Sequence, residues 1–214
     1  MASVLESITF DPTAFDKELK DFETLLQSKA NLSEKKDILP FFRKSKHLTA
    51  YLGTFAPNIG PATELCFEYE FFGDFRADVL VGSRAAKEFC VVEFEDGNQN
   101  AIFKNQPRRK NPEWSARFEH AFSQLTDWFY NLHDFKNTSG FAGTFGTGHI
   151  SFVGLIVMGR SAGLDDTKRN RLRWRTDRVL IDSHRISCIT FDELHARLHQ
   201  RFTLHRAASA TAPP

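Results

Sequence analysis

The sequence predicts an α/β fold in which a mixed central sheet is flanked by helices and preceded by a helical extension. Three patterns carry that prediction. In the first third, Phe15, Leu19, Phe22, Leu25 and Leu26 recur at spacings of three and four, the period of one helix face. From Leu65 the period changes to two, over three short apolar or aromatic runs. Residues 150–158 then form an unbroken apolar run, as expected of a strand covered on both faces.

Taken in chain order, Asp11 and Pro12 supply a cap and a first-turn proline for the opening helix. Ser33, followed by charged residues, begins a second helix, with Pro40 either near its start or interrupting it. The stretch 49–61, with Gly53, Pro57, Gly60 and Pro61, reads as a loop. The runs 65–72, 75–81 and 88–95 follow, separated by Gly73-Asp74 and Gly82-Ser83, connections short enough for an antiparallel meander. A polar, basic loop over 96–112 leads to a helix over 113–134 with Phe118, Phe122, Leu125 and Phe129 as its apolar stripe. After a glycine-rich loop comes the buried strand, then a basic helix over 165–175 and a strand within 179–189. A final helix is capped by Thr190 or Asp192, with Leu194 and Leu198 among its apolar positions. The small, polar residues 207–214 read as a disordered tail. The expected division is a helical segment over 1–47, a main domain over 48–206 and that tail.

Composition bounds the function classes. A chain of 214 residues that is 41% hydrophobic and 26% charged can bury one sizeable core. The formal net charge of +1 says little about partners, because a basic surface and an acidic centre cancel in the sum. Cys66, Cys90 and Cys188 lie far apart in apolar runs, with neither a disulfide framework nor a zinc spacing, and read as buried free thiols in a reducing cytoplasm. No apolar stretch is long enough to span a bilayer, and residues 1–11 lack the pattern of a secretory signal, so no membrane partner is expected.

The most informative feature is Asp78, followed after fourteen residues by Glu93-Phe94-Glu95. Strand alternation sends Glu93 and Glu95 to one face and Phe94 to the other. If the neighbouring strands pair through their short turn, Asp78 lies beside them. Three carboxylates among Val79, Leu80, Val91 and Val92 repel one another unless something neutralises them. A divalent cation does so directly, and magnesium, or manganese in its place, prefers such oxygen ligands while keeping waters that can become nucleophiles. The competing reading is that the acids form salt bridges or lie on a solvated sheet face.

Resemblance weighs against that competitor. The order helix, meander with Asp78 and Glu93-Phe94-Glu95, helix and buried strand resembles the PD-(D/E)XK nuclease superfamily, whose fold is restriction-endonuclease-like. More specifically, the segments 75–81 (FRADVLV), 91–95 (VVEFE), 121–128 (AFSQLTDW) and 157–160 (VMGR) resemble the nuclease domain of the Shedu anti-phage defence family, over roughly 48–198. The resemblance implies that Asp78 and Glu93 bind metal, with the Phe94 carbonyl as a backbone ligand. Glu95 departs from it, since the superfamily usually has lysine there to orient water and stabilise the transition state. A second metal or altered water activation is expected with Glu95 in its place.

Gln124 and Trp128, four apart, share a helix face, so Gln124 is a candidate to reach the acids, as in the glutamine-plus-aromatic motif of some superfamily nucleases. Glu68 is a further candidate. Two basic groups are candidates to hold DNA phosphates: Lys104, Arg108, Arg109 and Lys110, and Arg169, Arg171, Arg173 and Arg175, with Lys168 and Trp174 among the latter. His195 and His199 have metal-ligand spacing but read as surface residues, and Gly143, Gly146 and Gly148 read as a flexible connection. The expected function is therefore magnesium-dependent cleavage of DNA in anti-phage defence, with DNA as partner, Asp78, Glu93, Glu95 and Gln124 as catalytic residues, and a homo-oligomer cutting both strands. The alternative is a catalytically silent nuclease-fold module for DNA binding, sensing or assembly.

Overall fold

In the computed structural model the described residues are 4–71, 75–104, 111–146 and 149–211, with side chains through 208. A short strand, β1 (Glu6–Ser7), precedes α1 (Pro12–Ser28), which forms where its cap directs. Asp11 is extended and accepts the Thr13 and Ala14 amides, Pro12 lies in the first turn, and the buried face carries Phe15, Leu19, Phe22 and Leu26. Ser33 likewise caps a π-helical turn, Glu34–Ile38, that runs into α2 (Leu39–Lys44), with Pro40 in its first turn. Then come α3 (Lys46–Tyr51) and a 3-10 turn, Leu52–Phe55.

The loop expected over 49–61 is thus helical as far as Phe55. Packing explains the correction. Thr49 is fully buried with its hydroxyl shared between the Phe42 and Ser45 carbonyls, and a Cβ on Gly53 would stand 2.9 Å from the Ala62 Cβ. The glycine marks close approach here.

The meander follows as β2 (Glu64–Phe71), β3 (Phe75–Ser83) and β4 (Glu88–Phe94), antiparallel throughout. A small ribbon of β5 (Phe103–Lys104) and β6 (Glu113–Trp114) occupies part of the expected loop, so α4 (Ala116–Phe135) starts later than residue 113, at the Ser115 cap. The glycine-rich stretch holds a second correction, α5 (Ser139–Phe145), capped by Thr138 and ended by Gly146 at φ 78°. Gly143 is thus helical, while Gly148 lies outside the described residues.

After β7 (Ser151–Val157) and α6 (Asp166–Arg178), the segment expected to hold one strand folds as a hairpin, β8 (Leu180–Ile181) and β9 (His184–Ile189). Asp182 and Ser183 form its turn with φ 47° and 65°. Helix α7 (Phe191–Thr211) opens on a reciprocal cap: the Thr190 hydroxyl accepts the Glu193 amide, and the Glu193 carboxylate accepts the Thr190 amide, both at 3.1 Å. Thr190 is therefore the cap, and Asp192 is engaged by Arg160 instead. The helix continues through Thr211, past residue 207 where the tail is expected, across alanines that favour helix.

Among the described residues the main sheet has seven strands in the order β1-β2-β3-β4-β7-β9-β8, with β4, β7 and β9 parallel. The result is a mixed, restriction-endonuclease-like α/β fold. Alternation along β4 divides its side chains between two cores. Phe89 and Val91 face α4, α5 and α6, while Cys90, Val92 and Phe94 face α1, α2, α3 and α7. The three cysteines are buried free thiols. No described helix is long and apolar enough to cross a membrane.

Gly82 stands opposite Phe89 in the β3–β4 ladder, and an added Cβ would lie 2.4 Å from both the Glu88 carbonyl oxygen and the Phe89 ring. Gly82→Ala is expected to lower stability by about 1–3 kcal/mol. Urea unfolding should show this as a lower midpoint at unchanged slope.

Candidate functional site

The β3–β4 ladder runs from Ser83↔Glu88 to Val79↔Val92, and one further step sets Asp78 against Glu93. Side chains there take over the role of backbone acceptors. The Asp78 Oδ2 accepts the Phe94 amide at 2.8 Å, and the Glu93 carboxylate accepts the Asp78 amide. Alternation puts Glu93 on the α4 face after Phe89 and Val91, with Glu95 next on that side. Phe94 turns the other way, its ring centroid 4.3 Å from that of Phe42. Glu68 lies between Phe67 and Tyr69, which pair with Val79 and Ala77, and so stands across from Asp78. It has φ 51°, and its carboxylate contacts Arg43 at 2.9 Å and Arg76 at 3.9 Å.

Glu93 and Glu95 are only 7% and 6% exposed. Burial disfavours their charged forms, and repulsion between neighbouring carboxylates adds to it. Asp78 is pushed up to about 7 by burial, with Glu34 and Glu68 adding to the rise and the Phe94 amide and Arg43 opposing it. Glu93 is held well above the carboxylate range, by burial first and then by Asp78, Glu95 and Glu34. Glu95 is pushed up to about 7, again chiefly by burial, against the pull of Arg117.

Three residues that the sequence did not single out complete this cluster. The segment before the π-helical turn is clamped to the end of β4: Leu32 and Gly97 exchange backbone hydrogen bonds at 3.1 and 2.8 Å, and the Asp96 Oδ1 accepts the Glu34 amide at 2.9 Å. That clamp brings the Glu34 side chain to the acids, where burial raises its own carboxyl. Arg117, in the first turn of α4, sets its Nη1 2.9 Å from Glu95 Oε2, 2.9 Å from Asp96 Oδ2 and 4.0 Å from Glu34 Oε2. A usable signal existed for Arg117, since a cation in a helix's first turn opposes the helix dipole and calls for acids nearby. Asp96 directly follows Glu95. Glu34 is brought in by a long-range bridge with no local pattern.

Gln124 lies seven residues beyond Arg117, on the same face of α4, and its Oε1 is a buried acceptor with no hydrogen-bond partner among the described residues. Trp128 is buried beside Phe71. The basic residues divide by environment. Arg175 makes two hydrogen bonds to Glu119, at 2.7 and 2.8 Å, and lies over the Trp114, Phe118 and Phe122 rings. Arg171 donates to the Pro112 carbonyl and lies over Phe103 and Trp114. Arg169 contacts Glu193 at 3.6 Å, whereas Lys104, Arg173 and Trp174 are exposed. Arg108, Arg109 and Lys110 lie outside the described residues.

The donor chemistry of Asp78, Glu93 and Glu95 is all oxygen, which fits a hard divalent cation. As the side chains stand, no three His, Cys, Asp or Glu groups among the described residues are arranged to hold one. One oxygen of Asp78 accepts the Phe94 amide and one oxygen of Glu95 accepts from Arg117, so a cation shares or competes for both carboxylates with these partners.

Residues 31–195 match the family described as Shedu protein SduA, C-terminal. The match takes in Glu34, the meander, α4 and the start of the last helix. No curated protein matches the chain.

A carboxyl raised by folding stabilises the protein below its unfolded value, and that contribution is lost as pH rises through the folded value. For Asp78 the window runs from about 4 to about 7. In chelator-treated protein, Asp78→Asn is expected to raise Tm by a few degrees at pH 8 and to change it little at pH 4. Calorimetry showing the same difference at both pH values would refute the raised Asp78 carboxyl.

Proposed function

We propose a function from one premise: the chain belongs to the Shedu SduA C-terminal family, a family of anti-phage defence. On that premise it is a metal-dependent DNA endonuclease of PD-(D/E)XK type, with Glu-x-Glu in place of Glu-x-Lys. The observation that carries the reading is the convergence of Asp78, Glu93 and Glu95 at the end of two buried strands, where repulsion and burial favour a bound cation.

Asp78 and Glu93, with the Phe94 carbonyl, would hold magnesium or manganese. Bound there, the ion would polarise a phosphoryl oxygen and acidify a coordinated water. Glu95 would bind the ion or take the proton of the attacking water, whose oxygen forms a bond to phosphorus as the bond to the leaving sugar oxygen breaks and that oxygen takes up a proton from solvent. The orphaned Gln124 Oε1 would accept a hydrogen bond from water in the site. Lys104 and Arg173, both exposed, and the basic run Arg108, Arg109 and Lys110 would hold flanking phosphates. Arg169, Arg171 and Arg175 would contribute charge while serving the packing described above. Two such sites in a homo-oligomer would cut both strands.

The ion pair between Glu95 and Arg117 favours one competing reading, a silent module that binds or senses DNA while its acids stay internally compensated. Purified protein with plasmid or linear DNA and magnesium or manganese separates the two. Asp78→Ala and Glu93→Ala are each expected to reduce metal-dependent cutting by about a hundredfold or more. Binding of DNA by the wild type without cutting under any ion supports the silent module.

A further inference from the structure

The site lacks a strand-borne lysine, yet it does not lack a cation. Arg117 approaches from the N-terminal turn of α4, and its side chain is 45% exposed where that of Glu95 is 8%. Its contacts differ from those of the arginines that hold the fold together. Arg175 meets Glu119 through two nitrogens and two oxygens and is 18% exposed. Arg160, 15% exposed, joins Asp192 to the carbonyls of Leu26 and Lys29. Arg117 instead makes one hydrogen bond among the described residues, from Nη1 to Glu95 Oε2 at 2.9 Å, with its closest approaches to Asp96 and Glu34 at 2.9 and 4.0 Å. A guanidinium carries five N–H donors in a planar fork, so this arrangement leaves most of its donor capacity for a ligand of matching shape, a phosphate above all.

We propose that Arg117 is the working cation of this site: it compensates Glu95 and Asp96 in the free protein, yields Glu95 to an entering divalent ion, and presents its charge to the phosphate being cleaved. The second half rests on the nuclease reading above. The first half does not, because competition between an internal guanidinium and a metal ion exists whether or not DNA is cut. The position also suits the chemistry. A lysine at residue 95 would approach the phosphate from the strand, whereas Arg117 approaches from the helix, leaving Glu95 free to take a proton or an ion. An arginine donor to the developing phosphorane charge is an established source of rate enhancement, and its loss costs about a hundredfold or more.

The test compares wild type, Arg117→Lys and Arg117→Met, the last keeping the length and packing of the stem without the charge. Two readouts are taken on the full chain, with folding checked by Tm: manganese affinity measured by calorimetry with MnCl2, and single-turnover plasmid cleavage at saturating manganese. Arg117→Met is expected to bind manganese about fivefold or more tighter, because an internal competitor is gone. Its cleavage is expected to fall about a hundredfold, with Arg117→Lys recovering the larger part of the loss. Equal or weaker manganese affinity in Arg117→Met overturns the proposal, and so does an undiminished cleavage rate. If wild type cuts nothing, the nuclease reading fails by itself, and the manganese comparison still decides whether Arg117 is the competing cation.

Discussion

Carboxylates at the end of two strands that are covered on both faces have to be compensated, and most of the local architecture answers to that constraint. Buried charge is tolerated only when paired or hydrogen-bonded. The β3–β4 ladder therefore ends with side chains accepting backbone amides, Asp78 from Phe94 and Glu93 from Asp78. Beyond the ladder, the Leu32–Gly97 bridge and the Asp96 bond to the Glu34 amide fix where the next carboxylates fall. The Gly159 amide, donated at 3.0 Å to the Asp96 carbonyl, ties the end of β7 to the same place. Helix α4 then enters with an arginine in its first turn, an arrangement its own dipole disfavours and the acids repay.

The elements legible in the sequence are those whose signals are local. Asp11-Pro12 predicts the first helix because a cap and a fixed φ act within one turn. The meander and its pairing follow from two-residue periodicity and short connections, and the unbroken run over 150–158 becomes a central strand, β7, with parallel neighbours on both sides. Signals that depend on packing misled. Gly53 reads as a loop residue but is a close approach to Ala62, and the glycines of α5 read as flexible although a threonine cap and a left-handed Gly146 delimit a helix. Residues 179–189 carry strand periodicity that does not reveal the turn at Asp182-Ser183, since neither residue is the glycine that usually announces it.

For the site, alternation is enough to put Glu93 and Glu95 together and Phe94 apart, and a short turn brings Asp78 beside them. Glu34 lies far from β4 in sequence, and only a tertiary bridge delivers it. The basic segments show the same limit from the other side. Composition groups Arg169, Arg171, Arg173 and Arg175 as one positive surface, yet Arg171 and Arg175 lie over aromatic rings and bond to Pro112 and Glu119, while Arg173 is exposed. Helical geometry separates residues that alternation in the sequence makes look alike.

On the nuclease reading proposed above, Glu-x-Glu in place of Glu-x-Lys changes the charge of the site by two units, and that change would have to be balanced from another element. Strand β4 cannot supply the balance, since Phe89, Cys90, Val91, Val92 and Phe94 are committed to the two cores and Glu88 is itself an acid, bonded to Asn58. Helix α4 can, because its first turn meets the end of the strand and its residues are set by the Ser115 cap, independently of the ladder register. A cation carried on a helix also differs in kind from one carried on the strand. It meets Glu95 and Asp96 together without sharing a strand with the acids, so in the proposed role the same guanidinium would both compensate the cluster and turn toward an incoming anion. On the role proposed for Arg117, compensation in the free protein and charge for a phosphate would be two positions of one side chain, which would relate the departure at residue 95 to the placement of residue 117.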